Sequence, residues 1–180
     1  MMRLTIGGPP GSGTTSIARM LSSDHGLIHI YAGMIFREMA KERGLSLAEF
    51  SRLAESDESF DRSVDERMAK LAIADKDSIA EGRMAAFVVE DPDIRIWLDA
   101  PFNVRVARIA EREGLTEEIV KAMTIDRQKS ETQRYQRYYG VDIYDLSNYD
   151  IVINTEKWNV QGVYRILDSA ITNLVRATQD

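Results

Sequence analysis

The stretch Gly8-Pro9-Pro10-Gly11-Ser12-Gly13-Thr14-Thr15 constrains this chain more than any other. It matches G-x-x-x-x-G-K-[ST] at every position but one, Thr14 standing where the pattern has lysine. Before it, Arg3–Gly7 reads as a short strand; after it, a helix is predicted from about Thr14, taking in Ser16. Glycines in that setting let the backbone curl so that successive N–H groups surround a phosphate. The positive end of the following helix adds to the attraction. Thr15 offers a hydroxyl for Mg²⁺. The missing lysine leaves two routes open: other cations take its place, or the chain binds nucleotide without catalysis.

Short Ile-, Leu- and Val-rich runs alternate with longer helical patterns, which predicts βαβ units around a parallel sheet. The expected strands are Arg3–Gly7, Leu27–Ile30, Ser78–Glu81, Ile94–Asp99 and Asp150–Asn154. A terminal helix is expected to bury Val160, Val163, Tyr164, Leu167, Ala170, Ile171, Leu174 and Val175, leaving Arg165, Asp168, Asn173 and Arg176 largely to solvent. Two segments read as helical insertions, 34–76 and 112–140. The expected fold is α/β, a three-layer P-loop NTPase fold with a five-stranded parallel sheet. It forms one domain over 1–180, with core segments 1–33, 77–111 and 141–180.

Composition narrows the function. The 180 residues carry a formal charge of −6, which argues against general affinity for nucleic acid through its phosphates. There is no cysteine, so disulfides, thiolate metal sites and a cysteine nucleophile are excluded. His25 and His29 lack the further ligands a metal site needs and read as structural. The start, MMRLTIGGPP, is too short in apolar residues for a signal peptide, and no apolar run has the length of a membrane span. The expectation is a soluble, cytoplasmic protein, monomeric by default.

Within this acidic chain, Arg105, Arg108, Arg112, Lys121, Arg127, Lys129, Arg134 and Arg137 fall close together. Arg105, Arg108 and Arg112 share a helix face, and Arg127, Glu131 and Arg134 repeat the spacing. Any one of them suits a solvated surface equally well; the cluster suits a surface that closes over several phosphates, because the arginine fork binds phosphate oxygens bidentately and stays charged. Such closure excludes water. A phosphate oxygen as nucleophile is already anionic, so phosphoryl transfer to it needs positioning and charge more than a general base.

The loop GPPGSGTT, the segment Tyr31-Ala32-Gly33-Met34-Ile35-Phe36-Arg37, the triplet Glu81-Gly82-Arg83, the run IWLDAP and the stretch INTEKW occur in that order. Together they resemble the archaeal-type (type 2) cytidylate kinases, P-loop nucleoside monophosphate kinases, over residues 3 to about 175. That family also has threonine in the lysine position. The resemblance implies transfer of the γ-phosphoryl of ATP to CMP, and to dCMP, with Mg²⁺. It implies that Gly8, Pro9, Pro10, Gly11, Ser12, Gly13, Thr14, Thr15 and Ser16 hold the ATP phosphates. Thr15 and Glu81 would serve the metal, Glu81 as a Walker B-like carboxylate acting through water.

By the same resemblance Tyr31, Ala32 and Gly33 line the acceptor, and Arg37 and Arg83 grip its phosphate. Arg37 has a rival assignment as a surface arginine paired with Glu38 or Glu42. Arg108 and Arg112 match lid positions that stack on adenine and touch phosphates. Arg127 and Arg134 match arginines that clamp the transferring phosphoryl, with Glu131 holding them in place. For the cytosine base a carboxylate and an arginine make a natural reader. Asp61 and Arg62 of the I-D-R-x-x-D-like run are the candidates, Asp61 serving equally well as a helix N-cap. The chain departs from the usual family pattern at Met84-Ala85-Ala86-Phe87. Tyr135, Tyr138 and Tyr139 are expected to pack between lid and core. The competing readings are a kinase for UMP, AMP or dephospho-coenzyme A, a non-catalytic ATP-dependent switch, and a nucleic-acid-binding module.

Overall fold

A computed structural model describes residues 2–74 and 77–174. Five strands, β1 (Arg3–Gly7), β2 (Ile28–Tyr31), β3 (Ser78–Glu81), β4 (Ile94–Asp99) and β5 (Ile151–Asn154), pair in the order β2-β3-β1-β4-β5, every pair parallel. The sheet is covered on both faces, which is why its strands read as nearly continuous apolar runs. The α/β class and the five parallel strands expected from the sequence are what the structure contains.

One face of the sheet buries Leu4, Ile6, Ile79, Ile96 and Leu98 against α1 (Thr14–His25) and α8 (Val160–Thr172). The other face buries Ile30 and Ala80 against α2 (Ala32–Glu42), α3 (Leu47–Ser56), α4 (Glu58–Ala74) and the short α5 (Ala85–Val88). The start of α3 is fixed by a reciprocal capping box between Ser46 and Glu49, worth about 1 kcal/mol. After β4 come α6 (Phe102–Glu113) and α7 (Glu117–Tyr139). Among the described residues, no helix is long and apolar enough to cross a membrane.

The strand ends differ from expectation by one residue in two places. Leu27 stays outside β2 because its N–H donates to Ser22 O, closing the C-terminus of α1 around left-handed Gly26. Asp150 precedes β5, its carboxylate accepting from the Arg95 N–H. On α8, Val163, Tyr164, Leu167 and Ile171 are buried and Arg165 and Asn173 exposed, as the periodicity demanded. Val160, the first residue of α8, is not part of that stripe and is 53% exposed. Asp168 is half-buried and bound to His25 Nε2 at 2.8 Å. Val175 and Arg176 lie outside the described residues.

Helix α7 has 23 residues, about 34 Å of helix, yet buries only Val120, Thr124 and Glu131. Val120 anchors its first part in an apolar cluster with Val106 and Ala110 of α6, and beyond that point side-chain bonds to other elements hold it, among them those of Glu131 and Arg134 at one cleft.

Candidate active site

The cleft opens at the carboxyl ends of β1, β2 and β3, where Gly7, Tyr31 and Glu81 finish almost level, Ile6 and Tyr31 both being register partners of Glu81. Ligands in open α/β sheets bind at such ends. Its volume of about 1380 Å³ exceeds that of an ordinary single-ligand pocket and suits two nucleotides.

Gly8–Gly13 forms the turn between β1 and α1. Gly11 has φ +84°, and a Cβ there would stand 2.7 Å from the Arg105 carbonyl oxygen. A Cβ on Gly8 would overlap the Leu98 carbonyl. The loop is therefore pressed on β4 and α6 by residues that only glycine permits. Arg105 supports it from outside: Nε donates to Ala100 O at 2.9 Å, and Nη1 to Pro10 O at 3.1 Å and Gln128 Oε1 at 3.0 Å. Arg108 donates to Thr155 O and Thr155 Oγ1, both at 2.9 Å, and that hydroxyl lies within hydrogen-bond distance of Ser12 O. Thr155, inside the INTEKW stretch, is thus a brace of the loop.

Under the loop lies Glu81. Its Oε1 accepts from Thr14 Oγ1 at 2.9 Å and Thr15 Oγ1 at 2.5 Å, and its Oε2 pairs with His29 Nε2 at 2.8 Å. Burial acts to raise this carboxyl, but the bonds from His29, Thr15 and Thr14 outweigh it and hold the group below the usual carboxylate range. A hydroxyl and a carboxylate at a phosphate loop are hard oxygen donors and fit Mg²⁺, which takes few protein ligands. His25 and His29 share no site, since one faces α8 and the other Glu81.

The arginines separate by role. Glu131 is 8% exposed; its Oε2 lies 2.9 Å from Arg83 Nη2 and its Oε1 2.8 Å from Arg127 Nε. Arg83 is nearly buried, whereas Arg127 is 60% exposed on the cleft wall. Arg134 binds both oxygens of Asp61, at 2.7 and 2.5 Å. Arg112 reaches the cleft rim, exposed and, among the described residues, paired only with its neighbour Glu113. Among the described residues Ser12 Oγ, Arg83 Nε and Arg134 Nε are buried without hydrogen-bond partners, and all three residues line the cleft. Unmet donors in a cleft suit an anion.

On the acceptor side, Tyr31 precedes α2, Ala32 and Gly33 begin it, and Arg37 follows one turn on. Arg37 Nη2 donates to Tyr31 OH at 2.5 Å, its guanidinium 5.4 Å above the ring. The alternative pairing with Glu38 or Glu42 is not formed, because Arg67 takes both carboxylates. Asp61 is the fourth residue of α4, not its cap. Burial raises its carboxyl against the pull of Arg134. Arg62 turns from the cleft to Tyr138 O, at 2.9 Å, and to the Tyr139 ring. Asp65, one turn beyond Asp61, does line the cleft. Tyr138 and Tyr139 pack α7 onto α3 and α4 instead of onto the core: Tyr139 OH donates to Asp65 Oδ2 at 2.6 Å and Tyr138 OH to Glu55 O at 3.5 Å. Tyr135 lines the cleft. Of the departing segment, Met84 alone reaches the cleft, and Phe87 faces Tyr149.

Thr155, His29 and Asp65 were not among the sequence candidates. For two of them a signal existed: His29 shares a strand face with Tyr31, and Asp65 stands four residues from Asp61 on one helix face.

A five-stranded parallel sheet with a glycine-rich phosphate loop after β1 defines a P-loop kinase fold. Solved structures share it: one titled only as an uncharacterized protein from Eubacterium ventriosum superposes with TM-score 0.72 at 21% identity, covering 96% of this chain and 99% of that one. A shikimate kinase from Bacteroides thetaiotaomicron superposes with TM-score 0.60 at 12% identity, covering 95% and 98%. At such identities the likeness is one of fold. The sequence goes further. Residues 3–157 match the cytidylate kinase-like family, and a cytidylate kinase of Methanosphaerula palustris is 48% identical over 171 residues, covering 94% of this chain and 97% of its own. The chain belongs to the cytidylate kinase-like family.

Proposed function

We propose that this protein is a cytidylate kinase, transferring the γ-phosphoryl of ATP to CMP, and to dCMP, to give ADP and CDP or dCDP. One observation carries the reading beyond family membership: Glu131 holds Arg83, two residues past the end of β3, and Arg127, from α7, on one carboxylate in a cleft sized for two nucleotides. Two cations converging there sit where charge spreads over a transferring phosphoryl group.

The Gly8–Thr15 backbone holds the donor phosphates, Arg108 and Arg112 flank them, and Tyr31, Gly33 and Arg37 receive the acceptor. Segment 34–76 acts as the acceptor-binding part, and 112–140 as a lid that excludes water. Thr15 and Glu81 would hold Mg²⁺, which would supply positive charge to the donor phosphates. Arg83 with Arg127 and Arg134 takes over the task of the absent lysine. The acceptor oxygen attacks as an anion, so no side chain removes a proton. The protein acts as a cytoplasmic monomer on these small molecules.

ADP formation from Mg-ATP, with CMP, dCMP, UMP, AMP and dephospho-coenzyme A supplied separately, tests this. Stimulation by CMP and dCMP supports it; stimulation by another acceptor alone overturns the substrate, and none at all overturns the kinase.

A further inference from the structure

We propose that Gln128 is a positioning residue for phosphoryl transfer: through Arg105 it fastens α7 to the phosphate loop, so that a filled loop sets the neighbouring Arg127 in place. This rests on the reading of the cleft as a kinase site.

Three observations carry it. In the first, one nitrogen serves both sides: Arg105 Nη1 donates to Pro10 O at 3.1 Å and to Gln128 Oε1 at 3.0 Å. That nitrogen carries two hydrogens, one for each oxygen. Arg105 is buried and its Nε is taken by Ala100 O at 2.9 Å, so a shift of the Pro10 carbonyl is felt at Gln128.

Secondly, both ends of the Gln128 amide are used. While Oε1 accepts from Arg105, Nε2 donates to Tyr144 OH at 3.1 Å. The Tyr144 ring stands edge-on to Trp97 of β4, their centroids 6.3 Å apart. A half-buried side chain of α7 is thereby held at two points.

The third observation is what else holds α7. Arg127 pairs with Glu131 of the same helix, and such a pair cannot place the guanidinium relative to another element. Among the described residues, Glu131 leads from α7 to Arg83, and Ser130, Arg134, Tyr138 and Tyr139 lead to α3 and α4. Only Gln128 leads, through Arg105, to the phosphate loop. Neither Gln128 nor Arg105 is among the described residues that line the cleft, so Gln128 acts through Arg127 and not on a substrate. The link is reciprocal: what a donor nucleotide does to the loop reaches α7, and what fixes α7 steadies the loop.

The test uses the full chain as wild type, Gln128→Met, Gln128→Glu, Arg127→Ala and the Arg127→Ala/Gln128→Met double variant. Methionine keeps the length and helix propensity but loses both bonds; glutamate keeps an acceptor for Arg105. With ATP and CMP, kcat is expected to fall about tenfold in Gln128→Met, with KM for CMP unchanged, and to recover in Gln128→Glu. In the Arg127→Ala background the methionine should cost nothing further, since the residue it acts through is gone. Losses that multiply, or a glutamate no better than the methionine, overturn the proposal. Amide hydrogen exchange of residues 127–134, with and without the β,γ-methylene analogue of ATP, gives a readout free of catalysis. The analogue is expected to slow exchange about fivefold or more in wild type and Gln128→Glu, but not in Gln128→Met. The same behaviour in all three overturns the coupling. Slowing that depends on Gln128, in a wild type that forms no CDP, upholds the coupling and defeats the kinase.

Discussion

The hydroxyl of Thr14 donates to Glu81 Oε1 at 2.9 Å, so the residue in the lysine position is bound to the carboxylate that ends β3. A lysine there reaches forward over a nucleotide's phosphates. Threonine reaches down, and with Thr15 and His29 it orients Glu81. On the proposed function, the cationic work falls to arginines from other elements.

Thr14→Val keeps the branched shape at the start of α1 and removes that bond. One lost hydrogen bond of about 1 kcal/mol lowers kcat about fivefold, with KM for the acceptor unchanged. Steady-state kinetics with both substrates varied checks this.

Glu131→Gln and Arg127→Ala are expected to part company. The glutamine leaves Arg83 without its carboxylate in a nearly buried place, costing about 3 kcal/mol, visible in urea unfolding, and kcat falls as well. Arg127 is largely exposed, so Arg127→Ala changes stability by about 0.5 kcal/mol or less. It should nevertheless lower kcat about a hundredfold with little change in KM, since its contact tightens on the transferring phosphoryl.

Arg37→Ala removes a charged donor from the acceptor side alone. KM for CMP rises about tenfold or more while ATP binding holds. Equal weakening of both substrates, measured by calorimetry, contradicts this placement of Arg37.

Asp65 makes stability depend on pH. Its folded value, about 7, lies above the unfolded 3.8, so the native state binds more protons between them and stability falls as pH rises through that window. The loss is of the order of 4 kcal/mol, complete above about pH 7. Asp65→Asn, which cannot ionise, should match wild type near pH 4 and exceed it at pH 8 in urea titrations.

Much of this was legible in the sequence. The phosphate loop could be read because its glycines are demanded locally, by positive φ at Gly11 and close backbone approach at Gly8. The strands could be read because both sheet faces are buried. Arg105 was legible as part of a basic cluster but not as a loop brace, since helical spacing places a side chain on a face without saying which carbonyl it meets. Arg62 and Asp65 show the same limit: they stand three residues apart on α4, and the rotation of that helix against α7 alone decides which one enters the cleft. The tyrosines of α7 likewise follow from where a polar helix docks, and no periodicity encodes that.

The most direct measurement follows the label from γ-³²P-ATP in a single turnover with CMP and Mg²⁺. The expected result is label in the β-phosphate of CDP, one CDP for each ADP. Label released as inorganic phosphate, or retained in ATP despite measurable ATP binding, contradicts the assignment of this cleft to phosphoryl transfer between nucleotides.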